Sequence, residues 1–211
     1  RAGAGVNNIP VANCTEKGIP VFNTPGANAN AVKELIISAL CLGSRGIVQG
    51  MAYVKTLGDM TDPVEMSKLL EKEKKRFKGN ELAGKTLGII GLGAIGSMVA
   101  DTALSLGMNV AGYDPALSID AAWRLSSEVQ KVDNLTSLVS RSDYVTLHLP
   151  VLDNTRGLVN KELLSHFKKS ACLLNFAREE IVDSDAIADA LAAGELRCYI
   201  ADFPTPRLIA Q

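Results

Sequence analysis

Apolar runs of strand length alternate with helical patterns from about residue 86 onward. The runs cover residues 86–90, 110–113, 144–147, 171–174 and 199–201. Each is apolar at consecutive positions, which is typical of strands buried on both faces of a parallel sheet. The helical patterns between them start at capping residues such as Asn134 and Asp183, and the second ends at Gly194. The sequence therefore predicts an α/β fold with a doubly wound parallel sheet.

Two further helical patterns precede the first strand. One runs from Ala29 to about Gly50 and is introduced by Asn28 and Asn30, and the other covers residues 63–77 after Asp62. The first 28 residues carry glycine, proline and short apolar runs, which predict loops and edges of another unit.

Composition narrows the possible functions. Apolar residues make up 47% and charged residues 21%, and the formal net charge is −1, as in an ordinary globular protein. No basic face is indicated, so nucleic acid is not an expected partner. The clustered charges from Glu71 to Lys78 alternate in sign and predict a solvated helix face.

The four cysteines argue against a metal site. Cys14, Cys41, Cys172 and Cys198 lie far apart, fit no zinc-ligand spacing and sit in or beside apolar runs. They are interpreted as buried thiols in a reducing, cytoplasmic compartment. The longest apolar stretch, residues 35–42, is far shorter than the roughly 20 residues of a membrane helix, so no bilayer span is expected.

Residues 91–96 read Gly-Leu-Gly-Ala-Ile-Gly, which fits G-x-G-x-x-G between a predicted strand and a predicted helix. Gly91 permits a tight turn, Gly93 lets the backbone approach a pyrophosphate, and Gly96 lets the helix pack closely on the strand. Ala94 and Ile95 begin the helix, whose N-terminal N–H groups and dipole favour phosphate. The pattern predicts a Rossmann-like site for a dinucleotide.

Asp114 ends the next predicted strand, 18 residues after Gly96. An acid at that place accepts hydrogen bonds from the hydroxyls of the adenosine ribose and repels a 2′-phosphate. The expected cofactor is therefore NAD rather than NADP.

Several longer stretches resemble the D-2-hydroxyacid dehydrogenases. They are Arg1-Ala-Gly-Ala-Gly-Val-Asn-Asn, Asn23-Thr-Pro-Gly-Ala-Asn-Ala-Asn-Ala-Val, and Gly79-Asn-Glu-Leu-Ala-Gly-Lys-Thr-Leu-Gly-Ile-Ile-Gly. His148-Leu149-Pro150 with Thr155, and Asn175-Phe176-Ala177-Arg178, are similar to the family's cofactor pocket and catalytic strand end. The resemblance covers nearly the whole chain and implies a small anionic substrate.

The resemblance also implies roles for individual residues. Arg178 would be the catalytic arginine that binds the substrate carboxylate and carbonyl oxygen through its guanidinium fork. Besides the glycine turn and Asp114, the implied cofactor-binding residues are Thr24, His148, Leu149, Pro150, Thr155, Phe176, Ala177, Arg178 and Asp202. The implied substrate-binding residues are Arg1, Gly3, Ala4, Gly5 and Val6.

The same resemblance implies an incomplete chain. It predicts a remnant of a second α/β substrate domain with its crossover in residues 1–28, a dinucleotide-binding domain in 29–205 and a truncated tail in 206–211. The family's catalytic histidine would come after Gln211, no acid follows Asp202 closely, and Glu179 stands where the family commonly has glycine. The isolated chain is therefore predicted to lack dehydrogenase activity.

Two questions stay open from the sequence. The resemblance covers enzymes for several D-2-hydroxyacids, among them hydroxypyruvate and glyoxylate reductases. The absent acid also allows a noncatalytic NAD-sensing module built on the same fold. In either case the apolar helix from Ala29 is expected to pair two copies into a homodimer.

Overall fold

The computed structural model describes residues 1–3, 5–6, 8–123 and 125–210, apart from the side chain of Asp120. Ala4, one of the predicted substrate-binding residues, lies outside the described residues.

Six parallel strands form one sheet in the described part of the chain, in the order β3-β2-β1-β4-β5-β6. The strands are β1 (Thr86–Ile90), β2 (Asn109–Tyr113), β3 (Gln130–Lys131), β4 (Tyr144–Leu147), β5 (Cys172–Asn175) and β6 (Cys198–Ala201). The order reverses direction between β1 and β4, which is the switch point of a doubly wound sheet. The five predicted strands are confirmed, and the short exposed β3 is additional.

The structure has helices on both faces of the sheet and in the segment before β1. They are α1 (Val11–Glu16), α2 (Ala29–Ser44), α3 (Ile47–Lys55), α4 (Pro63–Glu73), α5 (Ala94–Ser105), α6 (Ile119–Ala122), α7 (Leu135–Arg141), α8 (Lys161–Leu164), α9 (Ser184–Ala192) and α10 (Pro206–Ile209), with 3-10 turns at Lys74–Phe77 and Glu179–Ile181. One core contains residues of α7, α8 and α9, and the other contains residues of α2 and α5. Strands β1, β2, β4 and β5 are therefore buried on two sides, as their continuous apolar patterns predict, whereas β3 is exposed and β6 is half-buried.

Side chains cap several helices as predicted. Asn134 Oδ1 accepts a hydrogen bond from the Ser137 N–H at 2.8 Å, and Asp62 Oδ1 accepts one from the Val64 N–H at 2.8 Å. Gly194 adopts a φ of 66° just after α9, a conformation that glycine reaches without strain.

The long helix predicted from Ala29 to Gly50 is wrong as a single element. The structure ends α2 at Ser44 and starts α3 at Ile47, with an extended Arg45 between them. The N–H of Gly46 donates to the Phe77 carbonyl at 3.1 Å, and a Cβ at Gly46 would lie 2.7 Å from Phe77 Cα. This contact with a distant segment breaks the helix. Asn28 also makes no side-chain cap.

The cysteines are not uniformly buried, which corrects the prediction from their apolar surroundings. Cys172 is buried and Cys41 is exposed, while Cys14 and Cys198 are half-buried. Cys41 falls on the outer side of α2, because an apolar stretch on a surface helix also includes outward positions.

Among the described residues, no single helix has the length and apolar composition needed to cross a membrane. Helices α2 and α3 meet that test only as a pair, which is bent by 65° at the break between them.

Candidate active site

The turn between β1 and α5 has the close contacts that only glycine permits. Gly91 has a φ of +95°, and a Cβ there would lie 2.6 Å from the His148 carbonyl oxygen. A Cβ at Gly96 would lie 2.0 Å from the Gly91 carbonyl oxygen. A Cβ at Gly93, in contrast, would meet no atom within 4 Å. Gly91 and Gly96 thus allow the backbone to pack closely, and Gly93 leaves open space in front of the turn.

Helix α5 begins at this open space without a side-chain cap. Its first N–H groups and the positive end of its dipole are therefore available to an anion. The turn fits the pyrophosphate of a dinucleotide, because a small anion can approach Gly93 and meet the uncapped helix.

Asp114 lies directly beside the turn at the end of β2. Its Oδ2 accepts a hydrogen bond from the Leu92 N–H at 2.8 Å, and its Oδ1 accepts one from the Ala116 N–H at 2.9 Å. Each carboxylate oxygen can accept a further bond, and the side chain is only half-buried. The carboxylate is thus fixed by the backbone and remains open to a ligand.

A cleft of about 830 Å³ opens at the carboxyl ends of the strands, where ligands bind in such sheets. The predicted residues that line it are Arg1, Gly3, Gly5, Val6, Ile95, His148, Leu149, Pro150, Phe176, Ala177, Arg178 and Asp202. The predicted residues that do not line it are Thr24, Gly91, Gly93, Ala94, Gly96, Asp114 and Thr155. Lining residues that the sequence did not single out include Asn28, Val32, Val151, Arg156, Glu180 and Phe203.

His148 directly follows the central strand β4 and lines the cleft. Its Nε2 lies 3.1 Å from the Thr146 hydroxyl oxygen, and burial lowers its pKa from 6.5 to about 4. The imidazole is therefore neutral at physiological pH. The other histidine, His166, is exposed and lies outside the cleft.

Thr155 does not reach the cleft but organises the loop that follows His148. Its hydroxyl donates to the Pro150 carbonyl at 2.7 Å and accepts from the Leu152 N–H at 2.8 Å. Leu149 and Pro150 are positioned against the cleft by this loop.

The buried Asn175 fixes the turn that carries Arg178. Its Nδ2 donates to the Arg178 carbonyl at 2.9 Å, and its Oδ1 accepts from the Ala177 N–H at 3.1 Å. Asn175 was part of the quoted pattern but was not predicted as a site residue. Its signal in the sequence is a polar side chain at the end of an apolar strand.

The opposite wall of the cleft comes from the start of the chain. The hydroxyl of Thr24 accepts from the Gly3 N–H at 2.7 Å and donates to the Arg1 carbonyl at 3.1 Å. A Cβ at Gly5 would lie 3.0 Å from the Arg178 Nη2. Thr24 thus holds the segment that faces Arg178.

The charges in the cleft favour an anion. Arg1, Arg156 and Arg178 line it together with Glu180 and Asp202. Arg156 lies 4.0 Å from Glu180, whereas Arg1 and Arg178 form no ion pair within the described residues. Two guanidinium groups there thus have no carboxylate partner among the described residues, and Nη1 of Arg178 donates to the Ala177 carbonyl at 2.6 Å.

The parallel sheet, the glycine turn, the acid after β2 and the cleft define a dinucleotide-binding α/β domain. Residues 47–210 match the NAD binding domain of the D-isomer specific 2-hydroxyacid dehydrogenases. The chain belongs to this family, and its cofactor is NAD.

Relatives with several different names are similar to the chain. D-3-phosphoglycerate dehydrogenase of Methanocaldococcus jannaschii is 40% identical over 96% of the chain and 36% of its own length. Hydroxypyruvate reductase of Thermotoga maritima is 37% identical over 93% of the chain and 58% of its own length. The apo structure of D-lactate dehydrogenase from Escherichia coli aligns with a TM-score of 0.77, at 28% identity over 94% of the chain and 58% of that chain. The chain thus spans only part of these proteins.

Proposed function

We propose that this chain is the cofactor-binding part of an NAD-dependent D-3-phosphoglycerate dehydrogenase. Such an enzyme oxidises 3-phospho-D-glycerate to 3-phosphohydroxypyruvate, the first step of L-serine biosynthesis. The observation that carries the proposal is the presence of Arg1, Arg156 and Arg178 in one cleft beside the glycine turn. A substrate with both a phosphate and a carboxylate needs several cations. The 40% identity to the archaeal phosphoglycerate dehydrogenase supports it.

The residues around the glycine turn would hold the cofactor. The pyrophosphate would lie against Gly91, Gly93, Ala94, Ile95 and Gly96, and Asp114 would accept the ribose hydroxyls. The remaining proposed contacts are Thr24, His148, Leu149, Pro150, Thr155, Phe176, Ala177, Arg178 and Asp202. Thr155 and Thr24 would act through the backbone that they position, because neither lines the cleft.

Arg178 would bind and orient the substrate carboxylate and the reacting oxygen. Its guanidinium keeps its charge at all physiological pH values and can donate two parallel hydrogen bonds. Arg1 and the backbone of residues 3–6 would hold the substrate's other anionic group, although Ala4 in that loop is not described. The bound nicotinamide supplies the hydride acceptor.

In the described part of the chain, no histidine is positioned as the general base of this mechanism. The Nε2 of His148 is engaged with the Thr146 hydroxyl at 3.1 Å, and His166 lies outside the cleft. We therefore predict that the isolated chain turns over no hydroxyacid. Turnover of 3-phosphoglycerate that Arg178→Ala abolishes would contradict this prediction.

A second candidate is a hydroxypyruvate or glyoxylate reductase on the same cofactor domain. The similarity to the Thermotoga hydroxypyruvate reductase favours it. Glu180 also favours it, because this carboxylate beside Arg156 offsets one of the three cationic charges. A substrate without a phosphate would need fewer cations.

The test compares kcat/KM of the full-length gene product on 3-phosphoglycerate with NAD and on hydroxypyruvate and glyoxylate with NADH. We expect the phosphorylated substrate to be preferred, with Arg178→Ala reducing its kcat/KM at least about 100-fold. A preference for hydroxypyruvate would favour the second candidate. NADH binding without turnover of any substrate would favour the noncatalytic NAD-sensing module.

The same assay tests the cofactor preference by comparing kcat/KM with NAD and with NADP. Asp114→Ala is expected to lower kcat/KM with NAD about tenfold, because the change removes the hydrogen bonds to the ribose hydroxyls. The kcat/KM with NADP should change less, because the same change also removes the repulsion of the 2′-phosphate.

We further propose a homodimer formed through α2 and the adjoining α3. Apolar side chains exposed on these helices provide the physical motive: Leu35, Leu42, Ile47, Val48, Met51 and Val54.

We also propose the division into a substrate-domain remnant at 1–28, a cofactor domain at 29–205 and a tail at 206–211. Arg207 of the tail pairs with Asp185 and Asp189 of α9, so the tail packs on the cofactor domain.

A further inference from the structure

Two cysteines face each other across strands β5 and β6, away from the cleft. Cys172 and Cys198 are direct register partners in the parallel sheet. Both belong to the core on the α2 side of the sheet, and the two thiols interact with each other. Cys172 is 1% exposed, whereas Cys198 is half-buried. The pair thus has one accessible and one protected sulfur.

The accessible sulfur opens into a separate cavity of about 750 Å³. The cavity lies between the end of α2, the start of α3, residues 76–80 and strand β6, and Cys198 is one of its lining residues. Gly43 keeps this region open, because a Cβ there would lie 2.8 Å from Ile200 Cδ1 and 3.5 Å from Cys172 Sγ. A small molecule can therefore approach Cys198 from this cavity.

A fixed cation stands beside the pair. Arg197 donates from Nη1 to the Gly43 carbonyl at 2.8 Å and from Nε to the Ser170 carbonyl at 2.9 Å. The interaction with the Cys172 thiol and the nearby Arg197 charge lower the pKa of Cys198 to about 7, and the same interaction and burial raise the pKa of Cys172. When the pair loses a proton, the thiolate is therefore that of Cys198, the residue that lines the cavity.

We propose that Cys198 is a thiol–disulfide exchange site for low-molecular-weight disulfides, with Cys172 as the second thiol. The Cys198 thiolate attacks one sulfur of the small disulfide, forms a mixed disulfide and releases one thiolate. Cys172 then loses its proton to that thiolate or to water and attacks the Cys198 sulfur. The Cys172–Cys198 disulfide forms and the second small thiolate leaves, so two cysteines are oxidised and one small disulfide is reduced.

The register pairing brings the backbones of the two cysteines within reach of this bond. Adjacent strands lie about 4.8 Å apart, within the range of about 4.4–6.8 Å between Cα atoms that a disulfide spans. The bond would tie β5 to β6 below the strand ends at Asn175 and Ala201, which are themselves register partners. Oxidation would thus fix the separation of the two strands that lead to Arg178 and Asp202.

The test incubates the chain with glutathione disulfide at pH 7 and follows each cysteine by peptide mass spectrometry. In the wild type we expect Cys172 and Cys198 to lose two hydrogens and retain no glutathione. Cys172→Ser should trap glutathione on Cys198, and Cys198→Ser should leave Cys172 unmodified. Cys172→Ala replaces Cys172→Ser if the buried hydroxyl prevents folding.

Cys41 is the internal reference, because it is exposed on the same protein. In Cys172→Ser at pH 7, the mixed disulfide with glutathione should form about threefold to tenfold faster at Cys198 than at Cys41. Modification of Cys41 alone would overturn the proposal, and so would a stable mixed disulfide on Cys198 in the wild type.

Leu42 and Val48 line this cavity and also belong to the proposed dimer surface. Exchange that slows as the protein concentration rises would support both proposals, since a second copy would cover the opening. A rate independent of concentration would support the exchange site and count against the dimer.

Discussion

The two walls of the cleft are built in different ways. One wall is formed by the start of α5 and the residues that follow β4 and β5, and behind it Ile90, Leu147 and Leu174 have no exposed surface. The other wall is the segment of residues 1–28, in which Gly3 is the one buried residue among those described. The first wall is part of the hydrophobic core, and the second rests on the surface of the domain.

This difference determines how each wall responds to a mutation. A change in the sheet wall disturbs packed neighbours and therefore lowers the stability of the whole domain. The N-terminal wall is held by a few hydrogen bonds, such as that from the Thr24 N–H to the Gly3 carbonyl at 3.0 Å. Each contributes about 1 kcal/mol, so this wall can open locally while the domain stays folded.

The largest expected effect is in the sheet wall, where Gly96→Ala should lower the free energy of unfolding by about 2–3 kcal/mol. The added Cβ would lie 2.0 Å from the Gly91 carbonyl oxygen, a backbone atom that cannot move aside alone. Urea denaturation measures this loss.

Gly93→Ala is the matched control, because Gly93 lies two residues after Gly91 and three before Gly96. Its Cβ would meet nothing within 4 Å and its φ is −68°, so stability should change by only about 0.5 kcal/mol. NADH affinity, measured by nicotinamide fluorescence, should nevertheless fall at least about tenfold because the Cβ enters the proposed pyrophosphate site. Equal loss of stability in both variants would show that the turn is strained at both glycines.

Much of the sheet wall could be predicted because its pattern is local. Consecutive apolar residues, the spacing of Gly91, Gly93 and Gly96, and the position of Asp114 are all visible in short stretches of sequence. The strand order and the turn geometry agree with these patterns.

What the sequence missed depends on contacts between distant segments. The break after Ser44 arises from contact of Gly46 with Phe77, 31 residues away in the chain. Arg156 and Glu180 enter the cleft because the loop after β4 lies beside the turn after β5, where the Gly157 N–H donates to the Glu180 carbonyl at 2.8 Å. Periodicity carries no information on such pairs.

A second prediction for the sheet wall concerns pH and His148. Its pKa is about 4 in the folded chain and about 6.5 in an unfolded chain, so only the unfolded state binds the proton between these values. Stability should therefore be unaffected by this residue above pH 6.5 and fall as the pH drops toward 4. After allowance for partial exposure, the loss is roughly 2 kcal/mol.

The measurement is urea denaturation between pH 4 and pH 7.5 for the wild type, His148→Gln and His166→Gln. His148→Gln should flatten the slope between pH 4 and pH 6.5, and the exposed His166→Gln should retain it. Carboxylates such as Asp143 contribute equally to all three proteins, so their effect cancels in the comparison. An unchanged slope in His148→Gln would mean that the ring is hydrated and titrates normally.

The smallest effect on global stability is expected in the N-terminal wall, from Thr24→Val. The change keeps the shape of the side chain but removes the hydroxyl that accepts from the Gly3 N–H and donates to the Arg1 carbonyl. Loss of about 1 kcal/mol of local stability should speed hydrogen exchange at the Gly3 and Thr24 amides about fivefold, while the midpoint of urea denaturation stays within error.

Thr15→Val is the control in the same segment, because the Thr15 hydroxyl donates to the Val11 carbonyl of its own helix and, among the described residues, to no other group. It should leave exchange at Gly3 unchanged. If Thr24→Val instead lowered the denaturation midpoint and raised exchange in the sheet together with Gly3, the two walls would unfold as one unit. Faster exchange confined to Gly3 and Thr24 would mean that the wall carrying Arg1 opens independently, and that a ligand bridging Arg1 and Arg178 must stabilise the closed position.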